Sequence, residues 1–237
     1  MIKLRKSQER GHANLGWLDS YHSFSFSEYF DAAHMQYSAL RVINEDVVAG
    51  GAGIGMHPHR DMEIVTYILS GSLLHQDSMG NGSVISVGDV QRMTAGTGVR
   101  HSEFNASQDV PVHLLQIWIT PSENNLIPSY EEKHFSRHEK ENQWRLIASR
   151  NGHDGSITIH QDVNLYAIIL TPQKQAKLPL ALSRCAYVQV VSGEILLEDK
   201  QLKAGDAAKI NEEQLINIQA LQESELLWFD LPIQSIQ

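Results

Sequence analysis

The chain alternates along much of its length. Across residues 62–77, "MEIVTYILSGSLLHQD", apolar and β-branched side chains run up to Ser70-Gly71 and resume beyond it. That pattern predicts two strands joined by a tight turn. "GSVISVGDVQRM" (82–93) alternates around Gly88-Asp89, and "VHLLQIWIT" (112–120) is a further apolar run that stops at Pro121. Short strands at this spacing with Gly-rich turns predict an all-β, antiparallel sandwich or barrel. Helical periodicity is weak throughout, and "INEEQLINI" (210–218) is the stretch most open to misreading as a helix.

The pattern also repeats. "LSGSLLHQD" (69–77) resembles "VSGEILLED" (191–199), and "VGDVQRM" (87–93) resembles "AGDAAKI" (204–210). The second copy is five residues shorter between these blocks, as a trimmed hairpin loop would be. Two similar β-domains are expected, residues 1–130 and 131–237. The polar, proline-containing stretch 121–145 reads as the linker between them.

Composition narrows the class. The formal net charge is −9 over 237 residues, which argues against a broad electrostatic grip on nucleic acid or anionic lipid. A protein partner remains open. The single cysteine, Cys185, cannot form an intrachain disulfide, and the start of the chain lacks the apolar core of a signal peptide. A cytoplasmic location is the expectation.

Candidate chemistry lies in two short stretches. "GMHPHRDME" (55–63) holds His57 and His59, and "GTGVRHSEFN" (96–105) holds His101 and Glu103. Residues i and i+2 of a strand share a face, about 6.6 Å apart, so each pair points one way. Two such strands side by side bring three imidazoles and a carboxylate to one point. That donor set suits iron, nickel, copper, zinc or manganese, with positions left for water or substrate. Sliding the repeat without gaps puts Pro179 and Ala181 at the positions of His57 and His59. Beyond the shortened loop, Ile218 and Ala220 fall at His101 and Glu103. The four polar residues vanish together, as a functional unit would. His75 and Asp77 read as flanking a hairpin, with a loop role.

The spacing G-x5-HxH-x3-E, from Gly51 to Glu63, is similar to the first cupin motif, and G-x2-H-x3-N, from Gly98 to Asn105, to the end of the second. More narrowly, "GHANLGWLDSYHSFSF" (11–26), "HPHRDMEIVTYILSG" (57–71), "HQDSMGN" (75–81) and "TAGTGVRHSE" (94–103) resemble the pirin family. The likeness is greatest to its bacterial members with quercetin 2,3-dioxygenase activity. It implies two tandem jelly-roll-like cupin barrels, the first holding one divalent metal ion and the second none. Iron(II) is the leading ion, with nickel, copper, manganese, zinc or cobalt as alternatives. Generic cupins use the glutamate of the first motif, here Glu63, as a ligand. Pirins use the one two residues past the last histidine, here Glu103. Alternation favours Glu103, which shares a face with His101, although Glu63 is also an even number of residues from His59. The expected ligands are therefore His57, His59, His101 and Glu103, with Glu63 bracing them from behind.

By the same resemblance the expected reaction is ring opening of a flavonol by O2 with loss of carbon monoxide, Glu103 serving as ligand and base. The alternative the family offers is a metal-containing, redox-sensing module that binds a transcription factor or a metabolic enzyme.

Overall fold

The computed structural model describes residues 1–233. Each half is a pair of facing, mainly antiparallel sheets, one of seven strands and one of four. In the first half the large sheet runs Ser129–His134, Asp89–Thr94, Glu63–Ser70, Val112–Ile119, Leu40–Val48, Leu18–His22, Gly11–Asn14. Its small sheet runs Gly53–His59, Val99–Asn105, Ser72–Asp77, Gly82–Ser86. The second half repeats this, with Gln175–Pro179, Leu215–Ala220, Glu194–Leu197 and Lys200–Lys203 as its small sheet. The architecture is that of tandem cupins, built from separate facing ladders rather than a closed ring of hydrogen bonds.

The turns fall where the sequence breaks. Gly71 and its repeat counterpart Gly193 both have positive φ, 75° and 81°, a conformation that costs glycine little. The ambiguous 210–218 stretch gives strand Leu215–Ala220, its alternate residues Ile216, Ile218 and Ala220 buried. Among the described residues no helix is long and apolar enough to cross a membrane.

The expected boundary at 130/131 falls inside strand Ser129–His134, which pairs with Asp89–Thr94 in the first half's large sheet. The supposed linker thus contributes a strand to the first half's large sheet. Strand Ile2–Arg5, conversely, pairs with Ala207–Ile210 of the second half. Each half lends a strand or a loop to the other's neighbourhood, so composition alone misplaces the seam.

Alternation sorts every strand of the large sheets into two faces. On Glu63–Ser70 and Val112–Ile119, residues Val65, Tyr67, Leu115, Ile117 and Ile119 pack with Ile147, Leu165, Tyr187 and Phe229 of the second half, forming the central core. The opposite faces look into the interior of each half. In the second half that interior is one continuous apolar cluster. In the first it is split into two smaller ones, around Ile68 and Leu114 and around Ile64 and Met93. The polar residues of the candidate site lie in this first interior.

Candidate metal centre

Strand Gly53–His59 pairs with Val99–Asn105 so that His57 stands opposite His101. The register then slips: Glu103 faces Ile54, leaving an extra residue on the Gly53–His59 side. Such a bulge re-aims nearby side chains. At Gly53 the strands approach so closely that a Cβ would lie 2.5 Å from the backbone of residues 103 and 104, which explains a glycine there.

The three imidazoles surround one point. Ring centroids lie 4.8 Å apart for His57–His59, 4.4 Å for His57–His101 and 4.8 Å for His59–His101. Their donor atoms fall within 4.8 Å of one another. His57 Nδ1 donates to the Gly55 carbonyl at 2.8 Å, which fixes the tautomer and leaves Nε2 bare for a ligand. Burial, reinforced by the neighbouring His57, lowers the pKa of His59 to about 4; burial, then His57 and His59, lowers that of His101 to about 2. Burial thus favours the neutral form of both rings, in which one ring nitrogen carries a lone pair for a ligand.

Glu103 reaches the cluster through His101. A second group of donors, also within 4.8 Å, comprises His75, His101 and Glu103. The expected four ligands therefore fall in two groups that share His101. Gln116 Nε2 donates to Glu103 Oε2 at 2.7 Å. Burial pushes the Glu103 carboxyl up to about 7, against the pull of that amide.

His59 Nε2, both ring nitrogens of His101 and Glu103 Oε1 are buried with no hydrogen-bond partner. A buried polar atom left unpaired costs about 1–3 kcal/mol, so four of them gathered around His101 mark a missing partner. Neutral imidazole nitrogens and a carboxylate oxygen are the donors a divalent transition metal takes. The residues fit such an ion.

Two placements depart from expectation. His75 is not a loop residue: it is 0% exposed, stands opposite Glu103 in the ladder, and its ring centroid is 5.3 Å from that of His101. The signal lies in the H-x-D spacing of His75 and Asp77, the same i, i+2 pattern as His57/His59 and His101/Glu103. Glu63 is buried, but on the other face of its strand, with Val65 and Tyr67. Its Oε2 accepts from the backbone N–H of His160 at 3.2 Å and lies 3.3 Å from that ring. Glu63 thus meets the second half of the chain rather than the histidine cluster, because alternation from Thr66, which lies opposite Gln116, puts it on the outer face.

The second half has no such cluster among its described residues. Its ladder pairs Leu178 with Ile216 and Leu197 with Ile218. Since Leu197 is the repeat counterpart of His75, Ile218 occupies the place of Glu103 and Ile216 that of His101. This register corrects the ungapped alignment by two residues. Leu178 and Leu180 then stand for His57 and His59. All four belong to or pack against that half's apolar cluster, so the metal seat has become hydrophobic core. One divalent ion per chain is the expected stoichiometry on metal loading, and a His59→Ala, His101→Ala double variant is expected to hold none. Two ions per wild-type chain would refute this arrangement.

A groove of about 420 Å³ opens beside His59, lined by Pro58, Arg60, Thr97, Val99 and Arg100. Trp118 stands edge-on to the His59 ring, centroids 5.0 Å apart. Phe104, on the same strand as His101 and Glu103, is partly exposed.

Residues 3–119 match the family model described as Pirin, and residues 146–231 match the one described as Quercetinase C-terminal cupin domain. The chain is 48% identical over 232 residues to a protein named quercetin 2,3-dioxygenase from Escherichia coli K12, covering 98% of this chain and 99% of that one. It is 35% identical to a pirin-like protein of Caulobacter vibrioides, covering 97% and 99%. The crystal structure of bacterial pirin YhhW from Escherichia coli in complex with nickel(II) superposes with a TM-score of 0.94 at 47% identity, covering 98% of this chain and 99% of that one.

Proposed function

The chain belongs to the pirin family, and from that premise we propose that it is a metal-dependent dioxygenase that opens flavonols such as quercetin with O2 and releases carbon monoxide. The observation that carries the proposal is the gathering of three imidazoles beside an open groove, with the buried Glu103 carboxylate joined to them through His101. His57, His59, His101 and Glu103 would hold the ion, for which we put iron(II) first and nickel, copper, manganese, zinc and cobalt after it. Bound there, the metal supplies a Lewis-acid seat for substrate oxygen and a route for electrons to O2.

The protein's own contributions derive from the geometry. The groove falls in the size range of small-molecule sites and admits a flat ring system edge-first past His59. Glu103 Oε1, free of any hydrogen bond, takes the proton of the flavonol 3-hydroxyl. A buried carboxylate positioned against the substrate hydroxyl is the kind of group that serves as a general base. The near-complete burial of His101 and Glu103, 1% and 4% exposed, keeps bulk water from the deprotonated oxygen. The first half is the reacting unit in this reading, and the second supports it across the central core.

Apoprotein reconstituted separately with iron(II), nickel, copper, manganese and zinc tests the reading. Oxygen uptake with quercetin is expected for at least one ion and in proportion to its occupancy. No uptake with any fully loaded form would overturn the enzyme assignment.

A further inference from the structure

We propose that Trp118 and Gln116 form a one-way clamp that determines which oxygen of Glu103 is free to bind the metal. The inference rests on the reading of Glu103 as a ligand and adds two positioning residues to it. Both lie on strand Val112–Ile119, two residues apart, and so point to the same face. Trp118 Nε1 lies 3.3 Å from Gln116 Oε1, and Gln116 Nε2 lies 2.7 Å from Glu103 Oε2.

The direction of this chain is set at both ends, by the indole, which can only donate, and by the ionised carboxylate, which can only accept. The Gln116 atom facing the indole must therefore be the amide oxygen, and the NH2 group must face Glu103. Flipping the amide would set two donors against each other at Trp118 and an oxygen against the carboxylate at Glu103. An isolated glutamine has no such preference, because its two ends are nearly the same shape. With the amide locked, Oε2 of Glu103 is engaged and Oε1 has no hydrogen-bond partner, while a carboxylate oxygen lies within 4.8 Å of donor atoms of His101 and His75. The carboxylate is thereby held to offer one oxygen rather than two.

Trp118 touches the site a second way. Its ring meets His59 edge-on at 5.0 Å and is itself braced edge-on by Phe26 at 5.3 Å. One side chain thus contacts one ligand directly and orients another through Gln116.

The second half supports the assignment. By ladder register Thr66 opposes Gln116, whereas its repeat counterpart Val188 opposes Trp228. Trp228 fills the apolar interior there. The clamp glutamine has been replaced by a hydrophobic side chain in the same half that replaced all four candidate ligands, as expected if its purpose is to serve them.

The experiment is a double-mutant cycle read as nickel(II) dissociation constants, by competition with a chelator, on full-length Trp118→Phe, Gln116→Leu, the double variant and Glu103→Gln. Trp118→Phe keeps an aromatic ring on the side of His59 and removes the N–H together with part of the indole's volume. Each single variant is expected to weaken nickel binding tenfold to a hundredfold. The electronic spectrum of the cobalt(II) form should shift in both, reporting an altered carboxylate. In the Gln116→Leu background, Trp118→Phe should cost nothing further, since the indole N–H then has nothing to orient. Additive losses, or unchanged nickel affinity in both single variants, would overturn the clamp. Unchanged affinity in Glu103→Gln would instead remove Glu103 as a ligand, which distinguishes failure of the site reading from failure of the clamp.

Discussion

Glu103→Gln is expected to fold normally, to bind metal more weakly and to open quercetin a hundredfold to ten-thousandfold more slowly than the wild type. The substitution changes almost no volume. Its amide oxygen still accepts from Gln116, but its other end becomes an NH2 group where Oε1 stood bare. An NH2 group is a poor ligand and cannot take a proton. Loss of a positioned general base alone is worth roughly 10²–10⁴ in rate, and the weakened ligation adds to that. The comparison variant is Glu63→Gln. Because Glu63 faces His160 across the seam between the halves, its loss should leave nickel affinity and turnover within a few-fold of wild type. Its effect should fall on thermal stability instead. Steady-state oxygen uptake, nickel competition and thermal melting on the two variants separate the roles. If Glu63→Gln lost the metal while Glu103→Gln kept it, the ligand role would pass to Glu63.

Glu63 also shows where sequence reading succeeds and where it fails. The strands at 63–70, 72–77, 82–86, 89–94 and 112–119 are legible because alternation and glycine turns are local properties. The pairs His57/His59 and His101/Glu103 are legible for the same reason: i and i+2 share a face whatever the rest of the fold does. Glu63 is not, because its parity relative to His59 crosses residues 60–62, which lie between two strands that belong to different sheets. Counting residues carries no information about facing across such a break. His75 escapes notice because its importance comes from the ladder that sets it opposite Glu103, a contact between residues far apart in the chain. Gln116 and Trp118 sit inside a run that reads as plain apolar strand. Their polar atoms acquire meaning only once the sheet places them over the histidines.

The repeat is visible in the turn blocks, yet the register it suggests is off by two residues in the strand of His101 and Glu103 and by one in that of His57 and His59. Equivalent turns, marked by Gly71 and Gly193, fix the hairpins, while the shortened loop displaces the strands beyond it. Only the hydrogen-bond ladder shows that Ile216 and Ile218 occupy the places of His101 and Glu103. The ligands are lost in either register, because isoleucine, like alanine, cannot ligate. The corrected residues also explain more. Branched side chains fill the volume that imidazoles and a carboxylate leave open in the first half, which accounts for one continuous cluster in one interior and two in the other.

The 3-deoxy analogue of quercetin is expected to enter the groove and remain intact. It has the same flat ring system, so contacts with Pro58, Thr97 and Val99 persist, and it should inhibit quercetin turnover competitively. It lacks the one proton that Glu103, as the proposed base, would remove. Without that removal the ring stays poor in electrons and O2 has no activated partner. Its turnover should fall below about 1% of that of quercetin, in line with the lower bound for loss of general base catalysis. With quercetin itself, each O2 consumed should match one substrate lost and one carbon monoxide released, since the product keeps both oxygen atoms of O2 and loses one ring carbon. Oxygen electrode traces, substrate absorbance and carbon monoxide capture by haem protein measure the three quantities together. Equal turnover of the 3-deoxy analogue would show that Glu103 does not act as base on the 3-hydroxyl. Oxygen consumption without carbon monoxide would mean that a different oxidation occurs at the same seat. If neither compound were consumed by any metallated form, the ion would act as a sensing element in a protein-binding module, and the search would turn to partners captured by the metal-loaded form but not by the His59→Ala, His101→Ala variant.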